Sequence, residues 1–459
     1  MHGLKYDAVV VGAGVAGLYS SLILASKGFR VALVESKPAS RIGDKTCGDA
    51  IGVHHFEHIG LKPPDSVVDH VYKGVRIYSP SERYEITVPG EGVSVNRVKL
   101  GQWLLRQALD KGVELLDQHT VLGVTVKDNT VKSITVKKVG GGTVELEASG
   151  FIDASGAKPA LRSRLPEAWP ISEKPYTTDF NIAYREVVEY DGSVNEADRD
   201  YAVIYLNTVV APGGYWWLFP KSGDGRVVNV GLGVIWNGLH NPRHNYDKYL
   251  KPRFPGRVIH AGGGIVPTRR PLPTMVWRNV GVVGDAAYTV NPVHGGGIGS
   301  SLEAADIVAR HMGDALEQGV VDEESMWGAN IEYMKAYGAK QAGLDVLRMY
   351  MQRLSNDDFE WIMANRLVDG SSVYDMGVKG ELGERIAHTV LAVLKALSRP
   401  SLLNQLRTVR SYMKKAVELY LDKYPSKPAE LPGWMRSVED FFEEYRRTIG
   451  FEKGERVKW

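Results

Sequence analysis

The sequence predicts an α/β protein with three parts: a domain built on a parallel sheet, an inserted antiparallel sheet, and a C-terminal helical region. Near the start a buried strand, a glycine-rich turn and a helix follow one another, as in parallel sheets. Short strand-like runs with turn signals fill residues 175–260, and nearly everything beyond about residue 325 has helical periodicity. Because 459 residues exceed what one hydrophobic core usually supports, we expect two or three domains.

The first three elements predict a β-α-β unit. YDAVVVG is typical of a buried parallel strand, AGLYSSLILASKG of a helix that ends at Gly28, and RVALVES of the next strand. The later elements are short strands in VYKGVRIYSP and SERYEITVPG, a helix at about 98–111, an antiparallel meander beside the parallel sheet at 113–153, and a buried strand in NVGVVGDAAY. PVHGGGIGSSLEAADIVARHM then predicts a glycine-rich turn leading into a helix.

Composition excludes several functional classes. Hydrophobic residues make up 44% of the chain and charged residues 24%, and the formal charge of +2 gives no electrostatic argument for nucleic-acid binding. Cys47 is the only cysteine, which excludes an intramolecular disulfide and a multi-cysteine metal site. The apolar run at 386–397 is too short to span a bilayer, and no secretory signal precedes the first strand. We therefore expect a cytoplasmic protein that at most lies on the inner face of the membrane.

A dinucleotide-binding motif occupies the first turn. Gly12, Gly14 and Gly17 form G-x-G-x-x-G between a strand and a helix, which is the context that this motif requires. Glycines there permit a tight turn and close approach to a pyrophosphate, and the helix N-terminus favours its negative charge. Glu35 ends the second strand, where its carboxylate can bind an adenosine ribose and would repel a 2′-phosphate. The motif therefore predicts FAD or NAD.

A second glycine cluster favours FAD. Asp285 follows a strand, where it can bind ribityl hydroxyls, and Gly295, Gly296 and Gly297 precede a helix whose free amides can approach a pyrophosphate or a reduced flavin. From this point the chain resembles the glutathione-reductase-like flavoproteins, in the branch of the p-hydroxybenzoate-hydroxylase-like enzymes, over residues 5–310. The resemblance implies a Rossmann FAD-binding domain and a cofactor site that also includes Val15, Ala16, Thr46, Cys47, Gly48, Asp49, Arg97, Leu122 and Ile298.

An aromatic motif selects a branch of these flavoproteins. PGGYWWLFP, residues 212–220, predicts a strand with Tyr215, Trp217 and Phe219 on one face and with Trp216 and Leu218 on the other. The stretch resembles the pattern P-x-x-Y-x-W-x-F-P of the geranylgeranyl reductases, and VVNVGLG after it resembles their partner strand. In that family these aromatic residues line a cavity for an isoprenoid chain, whose burial contributes about 0.8 kcal/mol per CH₂.

KTCGDAIG, residues 45–52, supports the same branch. Geranylgeranyl reductases have a similar Cys-Gly pair in a loop near the flavin ring, although a lone cysteine is more often an inert apolar group. Reduction of an isolated alkene also needs a proton donor, for which Cys47, His55 and Tyr215 are candidates beside ordered water and the flavin itself. His54 and His55 are equally consistent with ordinary surface or capping histidines.

The resemblance implies an FAD-dependent reductase of geranylgeranyl chains in archaeal-type glycerophospholipids. Ser155 stands where hydroxylases carry an aspartate that serves both FAD and NADPH, so the electron donor stays open among a nicotinamide, a ferredoxin and another carrier. A flavin-dependent halogenase or monooxygenase is the first alternative, since halogenases carry W-x-W-x-I-P at the aromatic motif. A non-catalytic isoprenoid-lipid carrier is the second alternative. The lipid headgroup, the number of bonds reduced and the oligomeric state do not follow from the sequence.

The same resemblance divides the chain into three domains, and the last contains a basic region. The expected divisions are 1–70, 96–165 and 262–325 for FAD binding, 71–95 and 166–261 for substrate binding and catalysis, and 326–459 for the helical domain. Residues 386–423 combine apolar helical faces with Arg399, Arg407, Arg410, Lys414, Lys415 and Lys423. This pattern suits an interfacial helix on anionic lipid, or a helix that packs on its own protein with a solvated basic face.

Overall fold

Two eight-stranded sheets organise residues 4–375 and 399–459, the parts of the chain that the computed structural model describes. The strands are β1 Leu4–Val11, β2 Val31–Val34, β3 Ala50–Gly52, β4 Val68–Tyr78, β5 Glu85–Val95, β6 Glu114–Leu116, β7 His119–Lys127, β8 Thr130–Lys138, β9 Thr143–Asp153, β10 Phe180–Tyr190, β11 Ala202–Tyr205, β12 Tyr215–Pro220, β13 Val227–Ile235, β14 Gly256–Pro267, β15 Val276–Trp277 and β16 Val280–Val282. The helices are α1 Val15–Ser26, α2 His54–His58, α3 Arg97–Asp110, α4 Pro242–Asn245, α5 Ile298–Glu317, α6 Trp327–Tyr333, α7 Ala339–Met351, α8 Asn356–Ala364, α9 Gly370–Tyr374, α10 Pro400–Leu421 and α11 Leu431–Ile449.

The first sheet contains the predicted β-α-β unit. Its main path runs β15-β16-β9-β1-β2-β6, and β1 pairs in parallel with both β2 and β9. β7 and β8 form the expected antiparallel meander, but β9 has a double role. Its first half pairs antiparallel with β8, while its second half lies between β1 and β16 inside the parallel sheet. The parallel sheet therefore includes residues that local sequence patterns assign to the meander.

The second sheet carries the aromatic motif. Its order is β14-β10-β13-β12-β11-β4-β5-β3, and every neighbouring pair is antiparallel except β11 with β4. Three strands do not follow the domain divisions predicted from the sequence, and one of them is β4, which crosses the division at residue 70. β3 lies within residues 1–70 yet pairs with β5, and β14 continues past residue 262. The loop at residues 45–49, which leads directly into β3, therefore connects the first sheet to an edge of the second.

The alternation predicted for the aromatic motif is confirmed. Trp216 and Leu218 belong to one buried cluster, in which the ring of Trp216 stacks on that of Tyr205 at 3.6 Å between centroids. Trp217 and Phe219 belong to a separate cluster on the other face of β12. β13 is the antiparallel partner strand of β12, as the sequence predicts. Both faces of β12 are thus apolar, and each face packs into a different buried cluster.

The helical region packs against the first sheet. Its buried residues belong to the same apolar core as β1 and α1, and α10 lies along α7. Leu402, Val409, Met413 and Ala416 form the buried face of α10, so its apolar face already has a partner within the chain. The remainder of the predicted interfacial segment, residues 386–398, lies outside the described residues. Among the helices of the described parts, none is long and apolar enough to cross a membrane.

Candidate active site

The first glycine turn has the geometry that its motif predicts. Gly12 has φ +100°, and a side chain there would come within 2.6 Å of the Ala154 carbonyl oxygen. A side chain at Gly17 would overlap the carbonyl oxygen of Gly12, so this glycine is needed for the close packing of α1 on β1. Gly14 differs, because a Cβ added there meets no atom of the described chain within 4 Å. The turn is tight at its two ends and open at its centre.

Carboxylate and apolar groups complete this turn. Glu35 Oε2 accepts a hydrogen bond from the Ala13 amide at 2.7 Å, and its Oε1 accepts one from the Lys37 amide at 2.8 Å. The carboxylate at the end of β2 is therefore fixed beside the turn, where the motif requires it. Val15 and Ala16 are buried in the first turn of α1. Leu122 lies at an irregularity of β7 and is half exposed, and its contact with FAD stays a prediction.

Arg97 supplies a buried cation to the same region. Asn96 caps α3 by accepting the Lys99 amide at 3.1 Å, which places Arg97 in the first turn of this helix. The Nε and Nη1 atoms of Arg97 are buried and have no hydrogen-bond partner among the described residues. Buried polar atoms in native proteins are almost always paired, so this guanidinium calls for an acceptor. A pyrophosphate provides such acceptors, and the FAD site predicted from the sequence fits this residue.

The second glycine cluster is contacted by the 45–49 loop and by the aromatic motif. Gly297 precedes α5, whose first residue is the buried Ile298, and Asp285 pairs with Lys45 of the 45–49 loop at 2.9 Å. The Tyr215 hydroxyl, from the aromatic motif, donates to the His294 carbonyl oxygen. Burial raises the pKa of Tyr215 well above its ordinary value, so its hydroxyl is neutral at physiological pH. The aromatic motif and the glycine cluster thus meet directly.

The loop that contains Cys47 is held by the second sheet. Arg185 Nε of β10 and Asn229 Nδ2 of β13 both donate to the Cys47 carbonyl oxygen, at 3.0 and 2.9 Å. The Asp49 amide donates to Cys47 Sγ at 3.3 Å, and Asp49 has φ +67°, a left-handed conformation uncommon outside glycine. Trp217 Nε1 donates to Asn229 Oδ1 at 3.0 Å. One asparagine therefore links the cysteine loop to the aromatic wall.

The side chain of Lys221 also holds this loop. Lys221 Nζ contacts Asp49 Oδ2 at 3.1 Å, Asp69 Oδ2 at 3.0 Å and Ser94 Oγ at 3.0 Å, and its side chain is only 10% exposed. Sequence analysis missed Arg185, Asn229, Lys221 and Asp69. Only the position of Asn229 in the motif strand VVNVGLG offered a signal, since Arg185 and Asp69 are single charged residues in β10 and β4, and Lys221 is a single charged residue directly after β12.

The aromatic wall faces the cysteine loop. The ring centroids of Trp217 and Phe219 are 6.0 Å apart with their planes inclined by 30°, and the ring centroid of Tyr215 lies 6.1 Å from that of Trp217. A Cβ at Gly48 would lie 3.0 Å from the Phe219 ring, so this glycine permits close contact between loop and wall. Thr46 likewise occupies space that a side chain at Gly262 of β14 would fill. The predicted substrate-binding residue Phe219 and the predicted flavin loop are therefore in close contact.

His55 lies beside the start of α5. Its Nδ1 is 2.7 Å from Glu303 Oε1, and its ring would overlap a side chain at Gly299. The pKa of the neighbouring His54 is lowered to about 4, mainly by burial and further by the charges of His55 and His58. Of the three candidate proton donors, Tyr215 and His55 thus both contact the segment at residues 294–299. Cys47 is linked to the aromatic motif through Asn229, which bonds to both Cys47 and Trp217.

Ser155, the departure from the hydroxylase pattern, has a local structural role. Its amide and hydroxyl both donate to Asp153 Oδ1, at 3.0 and 2.5 Å, and its hydroxyl oxygen accepts the Ala160 amide at 2.6 Å. Asp153 ends β9 and is fully buried. The serine therefore stabilises the turn after β9.

The two glycine turns, the fixed Glu35 carboxylate and the Arg97 guanidinium, whose Nε and Nη1 have no partner among the described residues, are what an FAD-dependent oxidoreductase would need. A family profile described as FAD dependent oxidoreductase matches residues 7–157, and one described as geranylgeranyl reductase catalytic domain matches residues 179–266. The chain is 37% identical over 98% of its length to the digeranylgeranylglycerophospholipid reductase of Sulfolobus acidocaldarius and covers 100% of that protein. This chain belongs to the digeranylgeranylglycerophospholipid reductase family.

Other relatives agree with this assignment. A digeranylgeranylglycerophospholipid reductase of Methanothrix thermoacetophila is 26% identical over 83% of this chain and 95% of its own length. Among solved structures, a geranylgeranyl bacteriochlorophyll reductase-like protein of Thermoplasma acidophilum has a TM-score of 0.73 at 22% identity, with 89% of this chain and 100% of that chain covered. The myxobacterial chondrochloren halogenase has a TM-score of 0.63 at 18% identity, with 86% and 97% covered. At these identities the two structures show the shared fold.

Proposed function

We propose that this protein reduces the carbon–carbon double bonds of geranylgeranyl chains in archaeal-type membrane glycerophospholipids. The observation that carries the proposal is the aromatic face of β12, which lies against the cysteine loop within a family of such reductases. An isoprenoid chain offers a protein little besides apolar area, and aromatic side chains supply large apolar area at low entropic cost. The chondrochloren halogenase named above is 18% identical to this chain and shares its fold.

The roles of individual residues follow from their chemistry. The turn at Gly12–Gly17, Glu35 and Arg97 would hold the dinucleotide part of FAD, and Asp285 and Gly295–Gly297 would hold the ribityl and flavin end. Bound FAD, once reduced, supplies the hydride for one alkene carbon. Trp217 and Phe219 would bind the chain, exclude water and orient its double bond. Uniform apolar contact also permits the chain to slide or rebind between successive reductions.

The second alkene carbon requires a proton, and we propose His55 as the first choice among the three donors. His55 Nδ1 lies 2.7 Å from Glu303 Oε1, so the carboxylate would orient the ring through Nδ1 and a proton would be donated from Nε2. The Tyr215 hydroxyl already donates to a backbone carbonyl, and its raised pKa makes it a weak acid. Cys47 Sγ accepts a hydrogen bond from a backbone amide, which suits a role in shaping the loop.

An anaerobic single turnover tests the proposal. Protein with reduced FAD is mixed with a digeranylgeranyl glycerophospholipid, and flavin absorbance and lipid mass are followed together. We expect the flavin to be oxidised while the lipid gains 2 Da for each bond reduced. A lipid that binds without flavin oxidation would identify a carrier. Chloride-dependent product formation with oxygen would identify a halogenase.

We further propose that the protein reaches its substrate by electrostatic attraction to anionic membranes. The apolar face of α10 is packed on α7, so the attraction would come from exposed basic side chains of α10. Replacing Arg410, Lys414 and Lys415 by glutamate should weaken salt-sensitive binding to anionic vesicles, at about 1 kcal/mol per residue near the surface, with FAD content unchanged. Vesicle flotation at several salt concentrations measures this. The matched control replaces Lys132, Lys137 and Lys138 of β8 by glutamate.

If the wild-type protein does not bind anionic vesicles at low salt, the proposed attraction is wrong and α10 serves as a structural cap. If both triple variants lose binding equally, net charge and not the surface of α10 is responsible.

A further inference from the structure

Ionisable side chains from three helices meet beside the second glycine cluster. His55 and His58 of α2 approach the same carboxylate oxygen, Glu303 Oε1 of α5, with Nδ1 distances of 2.7 and 3.2 Å. The His54 ring lies 4.1 Å from that of His55, and Lys340 of α7 interacts electrostatically with Glu303. His55 and His58 thus share the carboxylate of Glu303. Sequence analysis did not identify this residue.

His55 and His58 differ in how far their side chains are exposed to solvent. The side chain of His58 is 62% exposed, while those of His55 and Glu303 are 22% and 14% exposed. His55 is also pressed against the backbone at Gly299, in the first turn of α5. His55 therefore faces the glycine cluster, and His58 faces the solvent, with one carboxylate between them.

The charge on this carboxylate is maintained by its neighbours. Burial alone would raise the pKa of Glu303, but hydrogen bonds and charge interactions with His55 and His58 lower it below its ordinary value. Burial lowers the pKa of Lys340 to about 8, although the Glu303 charge opposes this. Besides the two histidines, the titratable groups that face Glu303 or His55 are His54 of α2, His294 of the glycine loop, Tyr333 of α6, Tyr337 of the following turn, and Lys340.

The reaction creates a need for a stored proton. Each double bond that is reduced loses its π bond and gains two C–H bonds, one from the hydride of reduced FAD and one from a proton, which leaves FAD oxidised. An apolar chain bound against Trp217 and Phe219 would exclude water, so this proton has to be held on a side chain before the chain binds. A carboxylate on one imidazole nitrogen stabilises the imidazolium and leaves the other N–H free to donate.

We propose that Glu303 is a positioning residue that orients His55 through Nδ1 and keeps it protonated, so that His55 Nε2 can donate the proton to the alkene. The inference rests on the function proposed above. His58 shares the carboxylate and is open to solvent, so its protonation tunes how much of the Glu303 charge is available to His55. After donation, His55 is neutral and regains a proton from water once the product leaves.

Glu303→Gln tests the charge separately from the shape. The amide keeps an oxygen that can accept the Nδ1–H bond but carries no charge, so the imidazolium is less stable. We expect the alkaline limb of the pH–rate profile for flavin oxidation by lipid to move to lower pH, with a rate at pH 7.5 about tenfold or more below wild type and near wild type at pH 5. Glu303→Asp should restore part of the rate at pH 7.5.

The measurement has a defined pH window and a matched control. Between pH 5 and 7.5, His54, with a pKa of about 4, stays mostly neutral and Lys340, with a pKa of about 8, stays mostly protonated. The control is Glu332→Gln, which removes the charge from a second carboxylate–histidine pair, in which Glu332 Oε2 of α6 lies 2.9 Å from His311 Nε2 of α5. This variant should keep the wild-type profile.

A second readout does not depend on turnover. Histidine ring signals of the FAD-loaded protein, followed by NMR, should show His55 titrating at lower pH in Glu303→Gln than in wild type. An unchanged pH–rate profile and unchanged titration in Glu303→Gln, with normal FAD content, would overturn the inference. If wild type never oxidises its flavin with lipid, the proposed function fails, and the titration still reports on the link between Glu303 and His55.

Discussion

Gly14→Val should abolish FAD binding while leaving the protein folded. A Cβ at Gly14 meets no atom of the described chain within 4 Å, and its φ of −73° with ψ of 179° is open to a β-branched residue. The valine would instead occupy the space at the helix N-terminus where a pyrophosphate has to approach the backbone. We expect purified variant protein to be colourless, with the circular dichroism and unfolding transition of FAD-free wild type. Absorbance at the flavin bands measures the occupancy.

Gly17→Val provides the contrast within the same motif. A side chain at Gly17 would overlap the carbonyl oxygen of Gly12, so this variant should lose stability of the domain itself. Both variants are expected to lack FAD, but only Gly17→Val should unfold at a lower temperature than FAD-free wild type. Retention of FAD by folded Gly14→Val would show that the cofactor does not lie at this turn.

Trp217→Ala should weaken the binding of long prenyl chains far more than that of short ones. Trp217 is 8% exposed and forms the middle of the aromatic wall, so its removal deletes apolar surface and the Nε1 hydrogen bond to Asn229, but no reacting group. Lost contact with two CH₂ groups corresponds to about 1.6 kcal/mol, or about tenfold in affinity. Asn229 keeps its bonds to Cys47 and Asp49 through Nδ2, so the cysteine loop remains held. KM values for C20 and C10 substrates measure the difference.

Trp216→Ala is the matched control on the same strand. Trp216 is 1% exposed and stacks on Tyr205 in the other buried cluster. Its truncation should reduce the free energy of unfolding by about 3–5 kcal/mol and affect C10 and C20 substrates equally. Equal losses for both substrates in Trp217→Ala would mean that Trp217 is also only part of the core.

Local patterns determined much of the site before any tertiary contact was known. The G-x-G-x-x-G turn depends on backbone conformation and on atoms within a few residues, so its glycines and Glu35 could be located from spacing. Strand periodicity of two assigned Trp216 and Trp217 to opposite faces, and the two separate clusters confirm it. The conformation of the turn and the two faces of the strand could be predicted because short-range geometry fixes each of them, while contact of these residues with FAD stays a prediction.

Contacts between distant segments were decided only by the tertiary structure. Cys47 is held by Arg185 and Asn229, which are 138 and 182 positions away in sequence, and Glu303 meets His55 across 248 positions. Nothing in the local pattern of a single charged residue specifies such a partner, because the pairing depends on which strands become neighbours. The same holds for α10, whose amphipathic sequence suits either lipid or protein, and whose apolar face is covered only because the fold brings α7 against it.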